Sequence, residues 1–261
     1  MTIAYLEKGQ GTPLVLLHGI GSAARSFAAQ LDQLASRWRV LAWDAPGYGN
    51  SEALSMAHPT AADYAAALER FLADRGIGDF HLLGHSLGCL MAAAFAARHP
   101  GRVLSLTLCS IAGGQAHLPE AERRKLLDQR LQDVATLGPR GMAEKRAPRL
   151  LGPAAPPEAL AKLVDTMGSV HPDGYAQAAR MLSTGDIAAD IARLPPAMSG
   201  QVIFGDADII TPPARNREIA DRWPGAAVHA IAGAGHALYL EQPQAFNALV
   251  GDFLKRTGTS S

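Results

Sequence analysis

The sequence predicts an α/β fold with a mostly parallel central sheet, flanking helices and a helical cap. Two observations carry this. Short apolar runs rich in Leu, Val and Ile alternate with longer Ala-rich amphipathic runs along the chain, the pattern of strands and covering helices in turn. At one strand-to-helix junction stands Gly84-His85-Ser86-Leu87-Gly88, the form of a sharp turn that pushes its central side chain out of the sheet edge. With 261 residues and 27.4 kDa, the chain can bury one substantial core.

Taken in order, the strand candidates are Ile3 to Leu6, Leu14 to Leu17, Val40 to Trp43, Phe80 to Leu83, Val103 to Cys109, Val202 to Phe204 and Ala227 to Ile231. Between them the clearest helices are Thr60 to Arg75, Leu87 to Arg98, Pro213 to Trp223 and Pro243 to Arg256. The prolines opening the last two suit a first helical turn, where the missing N–H costs nothing. The alternation stops between Ile111 and Pro196: charged stretches such as Pro119 to Leu137 meet Pro/Gly clusters such as Gly152 to Pro157. We read residues 111–196 as a helical cap inserted into a core of residues 1–110 and 197–261, over the sheet edge where open α/β sheets bind ligands. The tail from Thr257 to Ser261 reads as disordered.

Composition excludes several functions. Formal net charge is zero, with 24 basic and 24 acidic residues, so no basic footprint points to nucleic acid or an anionic membrane. No apolar run is long enough to span a bilayer. Cys89 and Cys109 sit among apolar neighbours without metal-ligand spacing, and the first residues lack a leader pattern, so a soluble, cytoplasmic protein with no metal and no cofactor is expected.

The chemistry starts at Ser86. A serine hydroxyl is a weak nucleophile at neutral pH and needs a base, which in turn needs an orienting group. Downstream stand Gly205-Asp206-Ala207-Asp208 after one strand and Gly233-Ala234-Gly235-His236 after the next, loops that share one edge of a parallel sheet with the Ser86 turn. Either Asp206 or Asp208 could be the acid. Backbone N–H groups of Leu87 and of Ile20, in His18-Gly19-Ile20-Gly21, are placed to hold a developing oxyanion. The competing reading of Ser86 is an ordinary helix N-cap. Asp44 reads as a cap on the turn Pro46 to Gly49, and His18 and His85 as holders of backbone geometry.

The cap carries Arg140, Lys145, Arg146 and Arg149 with only Glu144 opposing them nearby. A solvated helix face explains such a stretch. The alternative is that Arg146 or Arg149 reaches the pocket to meet a substrate carboxylate. Met142, Met167, Met181 and Leu182 could line an apolar pocket, or simply pack the core.

These motifs occur in an order that resembles the α/β-hydrolase superfamily over nearly the whole chain. They are His18-Gly19-Ile20-Gly21, Asp44-Ala45-Pro46-Gly47-Tyr48-Gly49-Asn50-Ser51, the Ser86 turn, Gly205 to Asp208 with Thr211-Pro212-Pro213, and Gly235-His236 with Glu241-Gln242-Pro243. The chain looks most like bacterial esterases and 3-oxoadipate enol-lactonases. The resemblance implies Asp208 as the acid, Ser86, Asp208 and His236 as a triad, and a small ester or lactone as substrate. It also implies about seven strands, since the chain starts near the family's second strand. Ser86 argues against the branches that carry aspartate at this turn, the haloalkane dehalogenases and epoxide hydrolases. Carbon-carbon bond hydrolysis of a ring-fission diketone acid is the alternative activity, although the loop after His18-Gly19 lacks the Gly-Pro-Gly run of those enzymes. A ligand-binding protein without turnover is the alternative of another class. The sequence does not speak to oligomeric state.

Overall fold

The computed structural model describes residues 1–257, so the expected disorder of the tail lies outside the described residues except at Thr257, which closes the last helix. The seven strands are β1 (Tyr5–Lys8), β2 (Pro13–Leu17), β3 (Arg39–Trp43), β4 (Phe80–His85), β5 (Val103–Cys109), β6 (Gly200–Gly205) and β7 (Ala227–Ile231). They form one sheet in the order β1-β3-β2-β4-β5-β6-β7. Only β1 runs antiparallel.

The inner strands are apolar on both faces because both are covered. Side chains alternate between two cores: Val15, Leu17, Leu41 and Trp43 face one, and Leu14, Leu16, Val40 and Ala42 the other. The second core is closed by α1 (Ala28–Leu34) and α10 (Pro243–Thr257) through Leu31, Leu34, Phe246 and Val250. The first is closed by α2 (Ala61–Ala73) and α3 (Leu87–Arg98). A capping box starts α2, where Thr60 and Asp63 satisfy each other's end of the helix. The helix α3 is buried from Leu87 to Ala96, which its alanines allow by letting it lie close under the strands.

The first strand is shifted from the expected Ile3 to Leu6. Ile3 is buried in the core, but the ladder with β3 begins at Tyr5↔Trp43 and runs out to Lys8↔Val40. Its polar end belongs to an edge strand, where Glu7 accepts from Arg39 Nε at 2.6 Å. Hydrophobicity marks what is buried; the ladder marks what is paired.

Between β5 and β6 the described chain holds four α-helices and no strand: α4 (Glu120–Arg146), α5 (Pro157–Met167), α6 (Pro172–Thr184) and α7 (Ile187–Ile191). Gly138, at φ 65°, and Pro139 break α4 into two arms, because the glycine alone tolerates that backbone and the proline cannot continue the ladder behind it. The bend folds the second arm back, so that Asp133 on the first arm pairs with Lys145 and Arg146 on the second. Helix α7 packs on α3, and Arg98 on α3 reaches its Asp190 at 3.5 Å. The helices that contribute to the cavity described next are α3, through its first residue, then α4, α5 and α6, followed later in the chain by α8 (Pro213–Ala220) and α9 (Leu238–Glu241).

Candidate active site

Ser86 sits at the corner between β4 and α3 with φ 52° and ψ −114°, a conformation that L residues avoid and that costs on the order of 1–3 kcal/mol. The surrounding packing holds it there. A Cβ on Gly88 would run into the Leu17 carbonyl and one on Gly84 into the Gly88 backbone, so strand, turn and helix approach as closely as they do only with glycine at both places. The Ser86 amide donates to the Cys109 carbonyl at 2.9 Å, and Cys89 Sγ–H donates to the Gly84 carbonyl at 3.1 Å. Although Ser86 occupies the N-cap position of α3, its side chain makes no capping bond. Its hydroxyl points elsewhere.

Ser86 Oγ lies 2.9 Å from His236 Nε2, and His236 Nδ1 lies 2.9 Å from Asp208 Oδ2. Asp208 is almost fully buried. Its Oδ1 accepts the amides of Ile210 and Thr211 at 2.8 and 2.9 Å, and its Oδ2 accepts the Thr211 hydroxyl at 2.7 Å in addition to the imidazole. Burial alone would raise this carboxyl; the His236 ring and the Thr211 donors outweigh it and hold it at about 2. An ionised Asp208 fixes the His236 tautomer with its proton on Nδ1, leaving Nε2 free to accept from Ser86. Asp206 faces away: it is exposed, and its Oδ1 takes the Gly233 amide at 2.6 Å, tying the loops after β6 and β7 together.

Two more histidines brace the site as neutral rings. His18 Nε2 accepts the Ala45 amide at 3.0 Å while Nδ1–H donates to the Gly19 carbonyl at 2.8 Å, and burial pushes its pKa down. His85 Nε2–H donates to the His236 carbonyl at 2.9 Å, and burial pushes it down to about 3. Asp44 caps a different element from the one expected: its Oδ1 accepts the Ala24 amide at 2.8 Å, at the start of the turn Ala24–Phe27.

The amides of Ile20 and Leu87 both belong to residues lining the cavity, and among the described residues neither donates to a protein acceptor. Leu87 is the first residue of α3, so its N–H is one of the helix's free donors. Together they can receive a negative oxygen beside Ser86.

The cavity measures about 270 Å³ and is bounded by the Ser86 turn, the Ile20 loop, Thr211, His236, Tyr239 and the cap. From the cap come Arg130, Arg146, Arg149, Leu150, Leu163, Met167, Tyr175 and Leu182. Arg146 and Arg149 thus border it, Arg149 at an exposed position and Arg146 engaged with Asp133 at 2.5 Å. Met181 does not line it and is fully buried in the core, as is Met142. One residue along α6 is about 100° around the helix, so Leu182 faces the cavity and Met181 the packing behind it.

Several residues here have roles that the sequence did not assign. Asn216 is fully buried; its Oδ1 accepts the Ile111 amide at 2.8 Å and its Nδ2 donates to the Thr211 carbonyl at 2.7 Å, joining the loops after β5 and β6. The Glu241 carboxylate accepts the Gly152 amide at 2.8 Å and the Gly235 amide at 3.0 Å. Glu241 was visible only as part of a motif, while Asn216, Asp133 and Arg130 depend on contacts that no local spacing encodes.

Residues 14–249 match the family model described as the alpha/beta hydrolase family. The chain belongs to the alpha/beta hydrolase family. Among curated relatives, this chain is 30% identical over 251 residues to a pimeloyl-[acyl-carrier protein] methyl ester esterase of Chromobacterium violaceum, covering 95% of this chain and 96% of that one. It is 32% identical over 257 residues to a dihydrolipoyllysine-residue acetyltransferase component of an acetoin cleaving system of Cupriavidus necator; the alignment takes in 95% of this chain but spans only 65% of that relative's length. Among solved structures, a thermophilic esterase from Thermogutta terrifontis superposes with a TM-score of 0.89 at 27% identity, covering 98% of this chain and 94% of that one. The enol-lactonase of Burkholderia xenovorans superposes with a TM-score of 0.86 at 25% identity, covering 97% and 96%. An esterase is thus among its curated relatives, and an esterase and an enol-lactonase are among its structural neighbours. No helix among the described residues is long and apolar enough to cross a membrane.

Proposed function

We propose that the protein is a serine hydrolase that cleaves a small carboxylic ester or lactone through an acyl-enzyme. The observation that carries this reading is the unbroken chain Ser86 Oγ, His236 Nε2, His236 Nδ1, Asp208 Oδ2, with 2.9 Å at both links, ending beside two free amides. Ser86 Oγ attacks the carbonyl carbon as its proton passes to His236 Nε2. The oxyanion is held by the Ile20 and Leu87 amides. When it collapses, the carbon–oxygen bond to the leaving group breaks, and the leaving oxygen takes the proton from Nε2. In a lactone that hydroxyl stays tethered to the acyl group. Water then attacks the acyl-enzyme, gives its proton to Nε2, and Ser86 recovers it as the acid leaves. Asp208 stays ionised throughout and stabilises the imidazolium. The family's esterase and enol-lactonase neighbours favour an oxygen ester over other acyl bonds. The buried free thiols of Cys89 and Cys109 suit a reduced, cytoplasmic setting.

Replacing Ser86 with Ala should lower turnover of a short-chain aryl ester by ~10⁴ to 10⁶, with the fold intact by circular dichroism. Activity within tenfold of wild type would refute the assignment, and a wild-type protein that binds small acids without turning over esters or lactones would be a receptor instead.

A further inference from the structure

The cavity wall carries more positive charge than hydrolysis of a neutral ester needs. Four arginines border it, Arg130, Arg146, Arg149 and Arg215, and no acidic side chain does. Two are already matched: Arg146 by Asp133, and Arg215 by Glu218 Oε2 at 2.9 Å. Arg130 and Arg149 are not; among the described residues neither has a carboxylate within salt-bridge distance. Arg130 is half-buried, and Nη1 lies 3.5 Å from the hydroxyl of the buried Tyr175, which steadies its guanidinium at the cavity wall. It stands on the first arm of α4, and Arg149 on the turn Ala147–Leu150 that follows the second arm. The bend at Gly138 is what brings both to one cavity, so the pairing is invisible in a linear reading.

An unmatched charge at the half-buried Arg130 is unfavourable unless a ligand supplies the counter-charge, and the exposed Arg149 at the same wall adds a second, mobile cation that can reach that ligand. Guanidinium groups suit carboxylates, which accept two parallel N–H bonds. Resting on the serine hydrolase reading above, we propose that the substrate is an anionic ester or lactone, and that Arg130 and Arg149 bind a second carboxylate remote from the bond that Ser86 attacks. The cavity of about 270 Å³ lies at the small end for ligand sites, which commonly run from ~300 Å³ upward. A short half-ester of a dicarboxylic acid, or the corresponding lactone acid, fits this description. A long-chain lipid does not.

The test compares two esters of equal chain length, monomethyl adipate and methyl hexanoate, which differ by one carboxylate. Wild type should favour the charged ester in kcat/KM by about ten- to a hundredfold, the range for hydrogen bonds to a charged group. That ratio should fall toward one in R130Q and in R149Q. It should hold in R140Q, since Arg140 pairs with Glu144 and lies outside the cavity lining. Independently of any variant's folding, adipate should inhibit or bind wild type more tightly than hexanoate, and less so as salt is raised. A wild-type ratio near one, or a ratio unchanged in both R130Q and R149Q, overturns the inference while leaving Ser86-dependent hydrolysis standing. Failure to cleave either ester would count against the hydrolase reading, and titration of adipate against hexanoate by calorimetry would still decide whether the wall selects a carboxylate.

Discussion

At the scale of single residues, Thr211 does more than fill space. Its hydroxyl donates to Asp208 Oδ2 at 2.7 Å and lies 3.2 Å from His236 Nδ1, while its amide holds the other carboxylate oxygen. It therefore fixes the carboxylate plane against which the imidazole is aligned. Thr211→Val keeps the shape and the amide but removes the hydroxyl donor, worth about 1.5–3 kcal/mol to an ionised acceptor. We expect kcat/KM for a neutral aryl ester to fall about tenfold with the melting temperature little changed. An unaltered kcat/KM would make Thr211 a space-filling residue. The sequence placed Ser86, His236 and the pair Asp206 and Asp208 on neighbouring loops, because a turn motif and strand order are local facts. It placed the arginines less well. Arg146 appeared opposed only by Glu144, whereas its partner Asp133 lies thirteen residues back and meets it only because α4 bends.

At the scale of elements, the cap is fastened to the loop that carries His236. Glu241, at the end of α9, accepts one amide from each side, Gly152 from the cap and Gly235 from the His236 loop, and the Ala237 amide donates to the Leu150 carbonyl at 2.9 Å. The two glycines meet back to back; a Cβ on Gly152 would strike the Gly233 carbonyl. Burial raises the Glu241 pKa against the pull of those amides, so the contact stands on shape and hydrogen bonds as well as charge. Glu241→Ala leaves both amides unpaired in a buried place, which costs about 1–3 kcal/mol for each. The expected result is a lower melting temperature together with both a lower kcat and a higher KM, since the base and the cavity wall at Leu150 loosen at once. A stability loss with kcat and KM unchanged would show that the clamp does not reach the site. Helix starts were legible at Thr60, Pro213 and Pro243, but not at Pro157 and Pro172, where prolines open α5 and α6 within a stretch whose Pro/Gly clusters read as breaks. The end of β1 was not, since its charged residues are kept in the sheet by the partner strand.

At the scale of the whole molecule, the parallel sheet brings residues distant in sequence to one edge. Ser86 follows β4, Asp208 follows β6 and His236 follows β7, and the order of motifs along the chain was enough to predict this convergence. The cavity's specificity was not predictable in the same way. It depends on the bend of α4, on which face of α6 turns inward, and on the contacts that seat α4 to α6 against the core, none of which has a local signature. Ser86 as the nucleophile remains the claim on which every other inference stands. It is tested most directly by treating the protein with a fluorophosphonate and locating the adduct by peptide mass spectrometry. The account predicts one covalent adduct per chain, on Ser86, formed in step with loss of esterase activity and absent from the Ser86→Ala protein. An active enzyme that stays unmodified at Ser86, or activity lost through an adduct elsewhere, would contradict it.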